Sequence, residues 1–181
     1  MSFEKFNLTN KTALITGAGG ILGKQHAAAL LDAGAMVVLT DIDGSRLQNT
    51  IESLRFTFKR SKIFSQVMDV SKLDDVRHAS DILKKDNLRI DILINNAAID
   101  PKVNTANDSL SDTRLENFSV EAWERQISVG LTGAFICSQV FGSNMASDKK
   151  GGVILNIASD LSIISPDQRL YKIEGMRSED Q

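Results

Sequence analysis

Short apolar runs alternate with longer amphipathic stretches along this chain, and that alternation constrains its fold more than any other feature. Thr12–Thr16, Met36–Thr40, Asp91–Asn95 and Gly152–Ala158 are apolar almost throughout and of strand length. A strand that reads as continuous apolar is covered on both faces, and the cover has to come from helices. Lys62–Met68 is more mixed and reads as an edge strand. Helical patterns fall at about 21–33, 44–59, 72–86 and 120–147. Strands and helices alternating on this scale form a parallel sheet with helices on both sides.

Two of the helices carry more detail. The third opens on Ser71-Lys72-Leu73-Asp74, which has the form of a capping box, and Leu73, Val76, Ala79 and Leu83 follow on one face. In the fourth, at 100° per residue, Trp123, Ile127, Leu131, Ala134, Phe141 and Met145 fall within an arc of about 80°. Val129, Gly133, Ile136 and Val140 form a second apolar arc on the order of 140° away. One arc has to cover the sheet, and the other needs a partner within the chain or on another subunit. Val129, Ile136 and Val140 are expected to be the partnered set, in a homo-dimer or tetramer built through helix 120–147. The polar stretch Ile99–Phe118 is long for a loop in a compact domain, and loops of that length are usually functional or mobile.

At 181 residues the chain fits one domain, with an irregular tail expected from about 161. A formal net charge of -2 with interspersed signs supplies no basic field for nucleic acid or anionic lipid. Cys137 is the one cysteine, which excludes an internal disulfide and suits a reducing cytoplasm. No run approaches the roughly 20 apolar residues of a membrane span, and the first dozen residues have no apolar h-region. No His, Cys or carboxylate cluster has metal-ligand spacing.

The first apolar run ends in Thr16-Gly17-Ala18-Gly19-Gly20-Ile21-Leu22-Gly23 and leads straight into a helix. Glycines let the backbone turn tightly and approach a pyrophosphate, whose charge is met by the helix N-terminus. The strict G-x-G-x-x-G spacing fails, because Leu22 stands where the third glycine would be. Asp41 ends the second strand, about 21 residues beyond Gly20, close to the offset at which an acid meets the adenosine ribose. A carboxylate there accepts from both ribose hydroxyls and repels a 2′-phosphate, so it selects NAD over NADP. The plainer reading of Asp41-Ile42-Asp43-Gly44 is a strand-end turn with a helix cap, which suits Asp43 and Gly44 well. Asp69-Val70 ends the third strand, Asn95-Asn96-Ala97-Ala98 the fourth, and Ser159 the fifth. Each group sits at the carboxyl end of a predicted parallel strand, where ligands bind in doubly wound sheets.

From the first strand onward the chain resembles the short-chain dehydrogenase/reductase family. Its loop is similar to that family's TGxxxGxG, with Ile21 in place of the middle glycine. Read as Gly17-x-x-Gly20-x-x-Gly23, it matches the TGxxGxxG of the extended branch. Asn95-Asn96-Ala97-Ala98 resembles NNAG, with Ala98 for its glycine. Val129-Gly130-Leu131-Thr132-Gly133 is similar to VNLTG, with Gly130 replacing the Asn that organises a proton-relay water. The second half, including VGLTGAF and the run Ser159–Met176, is most similar to members tied to bacterial surface-carbohydrate or flagellin-glycan synthesis.

The resemblance implies a Rossmann-type sheet of order 3-2-1-4-5, lacking the family's last strands. It implies NAD held by Gly17, Gly20, Ile21, Leu22, Gly23, Asp41, Ile42, Asp69, Val70, Asn96, Ala97 and Ala98. Asp69 and Val70 would contact the adenine, Asn96 would brace the sheet, and Ala97 and Ala98 would lie against the cofactor. Ser159 would be catalytic, hydrogen-bonding the carbonyl or alcohol of a small-molecule substrate. The family's Tyr-x-x-x-Lys pair finds no match: Tyr171 is the one tyrosine, and Gly175 stands four residues later. The leading expectation is therefore an NAD-dependent oxidoreductase whose 181-residue form does not turn over and whose C-terminal part is missing. The alternative is a nucleotide-binding protein without catalysis.

Overall fold

In the computed structural model, residues 6–59, 62–99, 115–165 and 167 are described. Five parallel strands, β1 (Thr12–Thr16), β2 (Met36–Asp41), β3 (Ile63–Val67), β4 (Ile92–Asn95) and β5 (Val153–Asn156), form one sheet of order β3-β2-β1-β4-β5. The expected order is found, with β3 at the edge. Three helices, α1 (Ile21–Asp32), α2 (Gly44–Thr57) and α3 (Leu73–Lys85), connect the first four strands. A long helical rod follows over residues 120–147. It consists of α4 (Val120–Ile127), α5 (Gly133–Cys137) and α6 (Ser143–Ser147), joined by wide π turns at Ser128–Thr132 and Ser138–Gly142.

β1 is buried along its whole length, as its unbroken apolar character requires. Successive strand residues point to opposite faces, so the sheet feeds two cores. Ile15, Val37, Leu39 and Ile94 pack with Ala27, Leu31, Leu47, Ile51 and Leu54 of α1 and α2. Leu14, Val38 and Leu93 pack on the other face with Val76, Ala79 and Leu83 of α3 and with Ile136, Cys137, Phe141 and Met145 of the rod.

Two expectations are corrected here. The capping box at α3 does not form. Lys72 is the N-cap and makes no side-chain cap bond, while the Ser71 amide and hydroxyl both donate to Asp69 Oδ1, at 3.0 and 2.6 Å. Asp69 is the nearer acceptor, so the turn closes backwards instead of onto the helix.

The second correction concerns the rod. Gly133 and Ile136 are buried, and Val129 and Val140 pack against the same core. The arc expected to need a partner is the one that covers the sheet. Val129, Gly133, Cys137, Phe141 and Met145 follow one another at every fourth residue. In a regular α-helix that spacing drifts by about 40° per step. The two wide turns absorb the drift and keep all five on the sheet side. The apolar side chains left outside are Val120, Trp123, Leu131 and Phe135, with Leu131 and Phe135 66% and 63% exposed.

At the amino-terminal ends of the strands, Arg89 ties the layers together. Its guanidinium bonds Asp91 Oδ1, Asp148 Oδ2 at 3.0 Å and the Gly151 carbonyl at 2.8 Å. Asp91 Oδ2 in turn accepts the Thr12 amide at 3.0 Å, linking β1, β4, the end of the rod and the approach to β5.

Candidate nucleotide-binding site

Because all five strands run parallel, their carboxyl ends share one edge of the sheet, and every strand-end group singled out in the sequence lies there. β1 turns at Gly17, whose φ of 63° is the left-handed region that glycine tolerates. A Cβ on Gly17 would stand 2.8 Å from Ala97 Cα, so the glycine turn and the end of β4 are in direct contact. Gly20 is the N-cap of α1, with no side-chain cap and no acid in the first turn. The positive end of a helix of 12 residues is thus left for an outside anion. Ile21 and Leu22 are exposed, and what they offer an anion is their backbone amides.

Gly23 has a different task. A Cβ there would meet Gly17 O at 2.5 Å and Ala18 Cα at 2.7 Å, so its absence lets α1 close against the turn. Of the two motif alignments, both include Gly17 and Gly23. Gly20 occupies the N-cap, with only Gly17 O near its missing side chain, at 3.3 Å.

Asp41 ends β2, half-buried. Its Oδ2 accepts the Gly19 amide at 2.9 Å and its Oδ1 the Asp43 amide at 3.0 Å. The carboxylate is therefore clamped against the glycine turn. Asp43 caps α2 by accepting from the Ser45 and Arg46 amides, which is the cap reading given to it from the sequence. Ile42 between them is exposed.

Asp69 follows β3. Burial works against its charge, but the Ser71 hydroxyl and amide and the Lys72 ammonium at 3.3 Å outweigh it and hold the carboxyl below its ordinary range. Val70 is buried, its side chain wedged against Gly133 of the rod, so what it can present to the crevice is backbone.

At the end of β4, the Asn96 side-chain amide donates to Thr16 O at 2.9 Å and to Gly17 O at 3.2 Å. The brace expected of Asn96 thus runs from β4 to β1 and its turn. Ala97 is half-buried and Ala98 exposed beside them. Ser159 lies three residues past β5, exposed. Its hydroxyl donates to Asp160 Oδ1 at 3.1 Å and accepts the Leu161 amide at 3.2 Å, capping a short 3-10 turn at Asp160–Ser162. Tyr171 and most of the loop after β4, residues 100–114, lie outside the described residues.

Two residues not singled out for their side chains hold this edge together. Thr16 Oγ1, fully buried, accepts the Asn96 and Ala97 amides, each at 3.0 Å. Asn95, 6% exposed, donates to Asn156 Oδ1 at 2.8 Å and to Ser138 Oγ at 3.0 Å, joining β4, β5 and the rod. A buried polar residue closing an apolar run is the signal that marks both.

A parallel sheet covered on both faces, a glycine turn opening a bare helix N-terminus, and an acid at the end of β2 define a dinucleotide-binding α/β domain. The family model for short chain dehydrogenase matches residues 11–170, and the chain belongs to that family.

Among curated relatives, the chain is 37% identical over 159 residues to a short chain dehydrogenase/reductase of Macrophomina phaseolina, covering 87% of this chain and 85% of that protein. It is 30% identical over 169 residues to an NAD-dependent glycerol dehydrogenase of Listeria innocua, covering 93% of this chain and 60% of that protein. Among solved structures, NAD+-bound xylitol dehydrogenase superposes with a TM-score of 0.72 at 26% identity, over 88% of this chain and 56% of that one. The chain spans less than two thirds of the length of most of the curated relatives it matches first.

Proposed function

We propose that this chain is the NAD-holding part of an oxidoreductase that interconverts an alcohol and a carbonyl on a small polyhydroxylated substrate. The observation that carries the reading is the Asp41 carboxylate. It offers about four lone-pair sites; the Gly19 and Asp43 amides take two and fix its direction, leaving two for a pair of ribose hydroxyls. The N-terminus of α1 would hold the pyrophosphate, Gly17 and Ala97 would let the nucleotide lie close to the backbone, and Asp69 and Val70 would border the adenine. Bound there, NAD would supply hydride acceptance and return at its nicotinamide. Ser159 would orient the substrate oxygen, giving up its hydrogen bond to Asp160 to do so. The glycerol and xylitol dehydrogenases among the similar proteins support a polyol or sugar as substrate, and both their names carry NAD. The resemblance of the VGLTGAF segment to enzymes of surface-carbohydrate and flagellin-glycan synthesis makes sugar derivatives the first compounds to test.

Titration calorimetry tests the cofactor assignment. NADH should bind more tightly than NADPH, and Asp41→Ala should weaken NADH while narrowing the gap. Hydrogen bonds to a charged group contribute about 1.5–3 kcal/mol each, so the loss should be at least about tenfold. Equal affinity of the unaltered protein for NADH and NADPH would overturn the role given to Asp41.

Pairing through the rod belongs to the same proposal, now by the face bearing Trp123, Leu131 and Phe135. Exposed apolar patches of several hundred Å² are uncommon on monomers. Leu131→Glu with Phe135→Glu should shift the light-scattering mass from dimer or tetramer to monomer. A monomer before substitution removes the idea. A cytoplasmic location completes the proposal. The lone Cys137 supports it, since burial pushes that thiol up to about 12 and out of disulfide chemistry. Recovery in a secreted or membrane fraction would count against it.

A further inference from the structure

Gly19 stands in the loop without a task in the phosphate cradle, and its surroundings explain why it is glycine. A Cβ at this position would lie 2.8 Å from the Cβ of Arg46 and 2.9 Å from Asp41 Oδ2. The glycine turn, the acid at the end of β2 and the first turn of α2 therefore meet at one point. Arg46 belongs to α2, where its backbone amide is capped by Asp43. Its stem begins against the Gly19 backbone, beside the carboxylate assigned to the adenosine ribose. The side chain is 70% exposed, and its one described partner is Asp43, with Nε 3.2 Å from Oδ2. An ion pair that open to water holds its partners weakly, so the guanidinium is free to exchange Asp43 for a better anion.

We propose that Arg46 is a second determinant of cofactor choice: it receives the 2′-phosphate of NADP and gives this site a real, though weaker, affinity for the phosphorylated cofactor. The inference rests on the assignment of Asp41 to the adenosine ribose. A 2′-phosphate added to a ribose held by Asp41 falls at the meeting point of Gly19, Asp41 and Arg46. There Asp41 repels it, while the planar fork of Arg46 matches a phosphate with two parallel N–H donors. Ribose hydroxyls without the phosphate carry no charge for Arg46 to meet. Arg46 therefore acts on NADP alone and Asp41 on both cofactors, in opposite senses. Gly19 is what permits the arrangement, since any side chain there would push Arg46 and Asp41 apart.

The two determinants separate in a binding cycle that needs no turnover. NADH, NADPH, 5′-AMP and adenosine 2′,5′-bisphosphate are titrated into the unaltered protein, Arg46→Ala, Asp41→Ala and the double variant. Arg46→Ala should leave NADH and 5′-AMP within about twofold while weakening NADPH and the bisphosphate at least about tenfold, as losing one good phosphate contact does. Asp41→Ala should tighten NADPH, and the double variant should lose that gain. The NADPH affinity should also fall more steeply with salt than the NADH affinity. Equal NADPH affinity of Asp41→Ala and the double variant would overturn the role of Arg46 while leaving Asp41 standing. So would a parallel loss of both cofactors in Arg46→Ala. If neither NADH nor 5′-AMP binds the folded, unaltered protein, the assignment of Asp41 fails, and the proposal for Arg46 fails with it.

Discussion

Gly23→Ala is expected to lower both stability and nucleotide affinity, whereas Gly20→Ala should affect affinity alone. The difference lies in what a methyl group would meet. At Gly23 the nearest atoms, Gly17 O at 2.5 Å and Ala18 Cα at 2.7 Å, are backbone, and Asn96 Nδ2 follows at 3.1 Å. None of the two backbone atoms can swing aside, so α1 would have to move off the end of β1. Overpacking of this kind costs about 1–3 kcal/mol. For a chain of this size each kcal/mol shifts the melting temperature by roughly 2–4 °C. The displaced helix would also carry its first-turn amides away from the phosphates. At Gly20 the nearest atom is Gly17 O at 3.3 Å, which a methyl tolerates with a small adjustment. It would, however, intrude where the pyrophosphate approaches. Thermal unfolding and NADH titration of both variants check the contrast. A Gly23→Ala protein that melts and binds like the unaltered one would show that α1 does not rest on this contact.

The second large expectation concerns turnover. The 181-residue chain should bind NADH yet oxidise it no faster in the presence of any ketose, aldose or simple ketone than in their absence. The argument rests on residue types in the sequence. The family pairs a tyrosine with a lysine four residues on; here Tyr171 is followed at that distance by Gly175, and Lys172 is adjacent instead. Gly130 moreover stands where the family's relay Asn would be. A Cβ built there meets nothing within 4 Å, so space does not impose the glycine. General acid-base catalysis by a positioned side chain contributes typically about 10²–10⁴-fold. Its absence should bring the rate to background in a stopped assay that follows NADH absorbance. NAD-dependent turnover that disappears in Tyr171→Phe would reverse the conclusion and assign Tyr171 a working role.

Much of the candidate site was legible because its residues are local punctuation. Gly17 to Gly23, Asp41, Asp69, Asn96 and Ser159 each follow an apolar run directly, and in a parallel sheet that position alone sends them to one edge. Asp43 and Gly44 read as a cap and are one. The connection from Gly19 to Asp41 and Arg46 was not legible, because it joins residues 22 apart that meet only after β2 has paired with β1. The clasp from Thr16 to Asn96 and Ala97 spans 80 and 81 residues, and its distances depend on the register of β1 with β4.

The sequence by itself determined the kinds and bounds of the elements. Period-two and period-3.6 burial are written into nearest-neighbour spacing, and β1 begins and ends at the expected residues. The tertiary structure alone decided which face of the rod is buried. A fixed 100° per residue splits its apolar residues into two arcs, but two wide turns re-phase the helix and bring Val129, Gly133, Cys137, Phe141 and Met145 onto the sheet. The sheet and α3 select that phase, since they reward burial of every fourth residue, and a window of local sequence contains neither of them.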